Sequence, residues 1–148
     1  MVKKTFLVLI CFVSSMIFES TLHAQDSKKT ITLPSGEVVC DLNGEWDALY
    51  ENLGTYSWVG NLKDMLKITQ QDGSFVGVKM IGTQYVQKGA ESIIGELDKS
   101  GIKKVRVVLM TGVYFLDCEG KMSEDGNKII INGSESGSER IRVTLTRK

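Results

Sequence analysis

The sequence predicts an all-β protein, an antiparallel up-and-down meander of about eight strands closing into a small barrel. Three observations carry this reading. From Glu45 onward, short apolar runs alternate with turn signals. The last run alternates cleanly, with Ile141, Val143 and Leu145 on one parity and Arg142, Thr144 and Thr146 on the other. A meander of this size also has two free edges, and closure is the direct way to hide them.

Taken in order, "EWDALYE" opens the meander and "MLKITQ" follows, ending at Asp72-Gly73, a favoured two-residue hairpin turn. "SFVGVKMIG" and "ESIIGELD" come next, then Ser100-Gly101, "IKKVRVVLM" and Thr111-Gly112. "VYFLDCEGKM", Asp125-Gly126-Asn127, "KIIING", a Ser/Gly/Glu loop and "RIRVTLTRK" complete the series. One segment has a competing helical reading, because Glu91, Ile94 and Leu97 are helically spaced and Gly101 sits where a helix would stop. The β-branched Ile93 and Ile94, with Gly95 between flanking strands, make it a strand instead. Upstream, "TITLPSGEVV" reads as a small hairpin or arm around Pro34-Ser35-Gly36.

The first residues have the layout of a secretory signal: Lys3 and Lys4, an apolar run from Thr5 to Phe18, and a cut after Ala24. The run is short for a bilayer span. The expected organisation is therefore a signal peptide at 1–24, an arm or hairpin at 25–43 and one barrel domain at 44–148. The protein is expected in the periplasm or outside the cell, with no transmembrane span in the mature chain. Two of the 18 basic and one of the 18 acidic residues leave with the signal, so the mature chain stays near neutrality. Such balance gives no pull toward nucleic acid.

His23, the one histidine, also leaves. Histidine-assisted nucleophiles and histidine-ligated metals go with it. No cofactor, no metal and no catalytic residue are expected. The carboxylate pairs Glu45/Asp47 and Asp117/Glu119 have the i, i+2 spacing of outward strand positions. Cys40 and Cys118 remain, and an even pair in an oxidising compartment predicts a disulfide contributing about 4 kcal/mol. The other reading is two separate buried thiols.

Eight strands enclose an interior just filled by side chains, or just able to hold one small ligand. "NGEW", with Gly44 and Trp46, resembles the G-x-W signature that opens the first strand of lipocalins and their calycin relatives. The resemblance implies that Trp46 closes one end of the barrel and that an arginine of the last strand, Arg142 or Arg147, stacks across it. The second lipocalin signature, Thr-Asp-x-x-Tyr, is absent. Tyr50, Tyr56, Trp58, Tyr85, Tyr114 and Phe115 fall on a strand face, near strand ends or in loops. They are candidate ligand contacts if they converge at one mouth, and otherwise core and plugs. The functional expectation is a non-enzymatic barrel binding a small apolar or amphipathic ligand. The alternative is a filled-core interaction protein that contacts an envelope protein through its surface.

Overall fold

The computed structural model describes residues 28–53, 57–110, 114–134 and 140–148; within these, the side chains at 109, 110, 114, 115, 134 and 140 are not described. Tyr56 lies outside the described residues. A two-stranded hairpin, β1 (Thr30–Thr32) with β2 (Val38–Cys40), precedes eight longer strands. These are β3 (Gly44–Asn52), β4 (Leu62–Gln71), β5 (Ser74–Lys79), β6 (Glu91–Asp98), β7 (Gly101–Met110), β8 (Tyr114–Met122), β9 (Lys128–Ser134) and β10 (Arg140–Arg147). Each pairs antiparallel with its successor, and β10 pairs back onto β3, so the sheet closes into a barrel. The segment 91–98 is a strand, paired to β5 and β7.

Turn chemistry sets the first register. Asp72 and Gly73 both have positive φ, 49° and 82°, the combination that a type I′ turn demands and that matches strand twist. It places Gln71 opposite Ser74 and so fixes β4 against β5. Gly44 enters β3 with a φ of 128°, a conformation glycine adopts without a Cβ penalty.

Parity then decides the core. Trp46, Ala48 and Tyr50 of β3 point inward, and so do Leu66 and Ile68, Phe75, Ile93, Val105 and Val107, Ile129 and Ile131, and Val143 and Leu145. Wall glycines create no open space here. A Cβ on Gly95 would lie 2.4 Å from Phe75 Cζ and 2.6 Å from the Lys104 carbonyl oxygen. One on Gly120 would meet Ile102 at 2.7 Å, and one on Gly77 would meet Leu66 at 3.3 Å. Each missing side chain is filled by a large neighbour, the small-against-large pairing a narrow barrel needs.

The outer walls carry charge. Register places Glu45 beside Lys67, Glu51 beside Arg142, Glu96 beside Lys104 and Arg106 beside Asp117. The last pair bonds at 2.7 Å. A lipid-facing barrel wall would be apolar, so these walls face water. Among the described residues, no helix is long and apolar enough to cross a membrane.

Strand ends sort into two groups. At the floor, the arm folds under the barrel: Val39, Cys40 and Leu42 are buried in the same core as the strands. Gln70 locks the arm there, accepting from the Leu42 N–H at 2.7 Å and donating to the Cys40 carbonyl at 3.2 Å. At the opposite end, the mouth, β3, β5, β7 and β9 finish and β4, β6, β8 and β10 begin.

The expected Cys40–Cys118 bridge is not formed; both are free thiols. Cys40 is buried at the floor beside the Gly126 turn, whereas Cys118 lies mid-strand against Gly133 of β9. Two thiols packed against different parts of the wall cannot reach a common S–S geometry. Burial raises the Cys40 thiol and pushes Cys118 up to about 11, so both stay protonated near neutrality.

Gly95→Ala tests the packing rule. The new methyl group meets backbone as well as the Phe75 ring, so a loss of about 1–3 kcal/mol is expected, read as a lower urea midpoint with the same slope.

Candidate functional site

The floor is built for closure. Trp46 is fully buried, and its indole N–H donates to the Leu42 carbonyl at 3.0 Å. The Arg147 guanidinium stacks over the Trp46 ring with its carbon 4.4 Å from the centroid. Its two terminal nitrogens donate to the Asn43 carbonyl at 3.1 Å and to the Asp41 carbonyl. One arginine thereby ties the last strand to both the arm and the first barrel strand. Of the two arginines the sequence left open, Arg147 fills the role; Arg142 sits on the outer wall and donates to Asn132 at 3.2 Å. Among the described residues, every buried polar side-chain atom at the floor is engaged in a hydrogen bond.

The mouth end of the interior is different, because it holds charge. Asp64, near the start of β4, and Lys79, the last residue of β5, both face inward and bond at 2.9 Å, with side chains 0% and 2% exposed. The Asp64 carboxylate also accepts from the backbone N–H groups of Met65 (2.7 Å), Ile81 (3.2 Å) and Gly82 (3.1 Å). It therefore neutralises the lysine and pins the first residues after β5. Burial alone would raise this carboxyl group. The Lys79 hydrogen bond, the Met65 N–H, the lysine charge and the Ile81 N–H outweigh burial and hold it below the usual carboxylate range.

Two further polar groups complete the cluster. Lys79 Nζ lies 4.2 Å from the centroid of the Tyr50 ring, a cation–π contact. The Tyr50 hydroxyl and Ser92 Oγ share a hydrogen bond of 2.8 Å. Ser92 reaches the interior because the β5–β6 register shifts between Gly77 and Val78, which lets Ser92 and Ile93 both turn inward. Burial pushes the Tyr50 phenol well above its ordinary value, so it stays protonated.

Topology brings the aromatic candidates to this end, though in different settings. Tyr50 is inside the barrel, in the polar cluster. Trp58 stands on the short 3-10 turn Ser57–Val59, 72% exposed. Tyr85 lies half-buried in the β5–β6 connection, which Thr83 and the buried Val86 close on themselves. Tyr114 and Phe115 begin β8 at the mouth, with side chains outside the described residues. Leu53 and Ile81 join Trp58 as exposed apolar residues of the same end. The carboxylates Glu45, Asp47, Asp117 and Glu119 all point outward into water.

Asp64, Lys79 and Ser92 were missed in the sequence. A signal was present for two of them. Asp64 shares parity with Leu66 and Ile68, and Lys79 with Phe75 and Gly77, so each is a charge on a core-facing position. Ser92 is on the wrong parity without the bulge.

No family model matches this chain, and no curated protein or solved structure is significantly similar to it.

Two predictions follow from the two ends. Arg147→Ala removes a stacked cation and two carbonyl bonds and is expected to lower stability by about 1–3 kcal/mol. Arg142→Ala should stay within about 0.5 kcal/mol; chemical denaturation of the pair separates them. The second concerns acid. Because the folded Asp64 carboxyl lies below its unfolded value of about 3.9, its contribution is fully present above that pH and lost as pH falls through the folded value. Urea midpoints measured from pH 6 to pH 2 should therefore fall less steeply for Asp64→Asn than for the unaltered chain.

Proposed function

We propose that this protein is an exported, lipocalin-like binding barrel without catalytic activity, which takes a small apolar or amphipathic ligand at its mouth. The observation that carries this reading is the inward cluster of Tyr50, Asp64, Lys79 and Ser92 beneath the mouth of a barrel whose other buried residues, Gln70 at the floor apart, are apolar among those described. An apolar enclosure with a few convergent polar groups is the usual make-up of a small-molecule site. The floor, by contrast, is fully engaged in closing the fold through Trp46 and Arg147. Trp58 on the rim supplies an aromatic surface past which a ligand enters.

A second reading has its own observation. Leu53, Trp58 and Ile81 are 47%, 72% and 63% exposed, an apolar edge on the mouth connections that suits contact with an envelope protein. In that case the barrel is a filled scaffold and its rim the working part.

Native mass spectrometry of protein taken from its own compartment separates the two. A ligand-binding barrel is expected to carry an extra mass that is lost on unfolding, on a chain beginning near Gln25. A clean apo mass, together with binding that depends on Trp58 and is indifferent to substitutions within the cluster, would establish the rim reading instead.

A further inference from the structure

We propose that Lys79 is the anchor for the ligand's head group, and that this head is an uncharged oxygen acceptor such as the hydroxyl, ester or ketone oxygen of a long-chain amphiphile. This rests on the binding reading above and adds the ligand's chemistry to it.

The argument is an inventory of donors and acceptors. An ammonium group has three N–H donors and no acceptor. Lys79 gives one to Asp64 Oδ2 and sets its charge against the Tyr50 ring; among the described residues its ammonium makes no other hydrogen bond. Asp64 has no such reserve, since Oδ1 accepts from Met65, Ile81 and Gly82 and Oδ2 from Lys79 and Gly82. The Tyr50 and Ser92 hydroxyls share one hydrogen bond, in which either can be the donor, so one neutral O–H is left over beside the lysine. The charged hydrogen-bonding capacity left in the cluster is donation from the Lys79 ammonium, with one hydroxyl hydrogen beside it, so the anchoring atom is an acceptor.

Charge then selects among acceptors. Asp64 and Lys79 cancel within the buried cluster. A carboxylate head would add an uncompensated negative charge beside Asp64, and an ammonium head would place a second cation against Lys79; both are penalised in a buried setting. A neutral oxygen accepts the free N–H and leaves the pair intact. The described core of the same barrel is built of apolar side chains such as Ile93, Leu116 and Ile141, which suit an alkyl body better than a sugar or a nucleotide.

The test uses the 15N-labelled mature chain with 1-dodecanol and, separately, dodecanoate and dodecylammonium, each below its micelle concentration. Expected are a shift of the Lys79 15Nζ–1H resonance on adding dodecanol and at least tenfold weaker binding of both charged analogues. In the double variant Lys79→Met with Asp64→Asn, which avoids stranding a lone carboxylate, the preference for dodecanol over dodecanoate should fall to near unity. The resonance measurement needs no substitution and stands if that variant does not fold. If dodecanol perturbs the mouth amides but not Lys79 Nζ, or if dodecanoate binds as tightly, the anchor is wrong while the binding reading survives. If none of the three perturbs any resonance, the binding reading itself fails, and the anchor with it.

Discussion

β10 pairs with β3 from Ile141 opposite Asn52 through Arg147 opposite Trp46, and this seam removes the last free edges of the barrel sheet. Closure fixes more than hydrogen bonds. An eight-stranded barrel has a set interior width, so every inward side chain must be matched by the space its neighbours leave. Phe75 fits because Gly95 has no side chain, and Ile102 fits because Gly120 has none. The same seam puts Arg147 over Trp46, so the residues that end the sheet also seal its floor. Losing that register would undo packing and closure together.

The barrel is asymmetric along its axis. At the floor, polar groups serve the backbone: Gln70, Arg147 and the Trp46 indole all bond to main-chain groups of the arm around Cys40–Asn43. Every such bond ties one chain segment to another, which is what a stable plug requires. At the mouth, an ion pair, a phenol and a hydroxyl meet one another inside the barrel, and only Asp64 reaches the backbone extensively. One end is bound up in folding; the other holds chemistry that folding does not fully use.

Much of the architecture was legible in the sequence because a two-residue period and turn chemistry are local signals. Ile141, Val143 and Leu145 announced the last strand, and Asp72-Gly73 announced the first tight hairpin. Gly95 inside "ESIIGELD" was harder, since it weakens a helix and a strand alike; its reason is tertiary, the ring of Phe75 lying across it. The cysteines misled because pairing depends on where two residues sit around a cylinder, which spacing along the chain does not encode. Cys40 ended at the floor and Cys118 in mid-wall. Of the site, the aromatic residues could be placed at strand ends, but the ion pair was overlooked. Asp64 and Lys79 obeyed the core parity, and their polarity drew attention away from it.

That pair bears most directly on the proposed function. A buried ion pair is a weak route to stability, because removing two charges from water costs several kcal/mol per ion and a well-packed apolar pair of similar size is often as stable or better. The rest of this interior follows the apolar solution: Leu66 and Ile68 sit on the same strand face as Asp64, and Phe75 on the same face as Lys79. Stability alone therefore does not account for charge at these two positions. Asp64 has a partial structural use, since it holds the N–H groups of Ile81 and Gly82 where β5 ends. The Lys79 side chain has none of that kind: its ammonium bonds to no backbone group among the described residues, and a methionine would cover the Tyr50 ring as well. A lysine in the interior, neutralised by Asp64 but with ammonium N–H groups to spare, is the group on which the proposed ligand anchor rests.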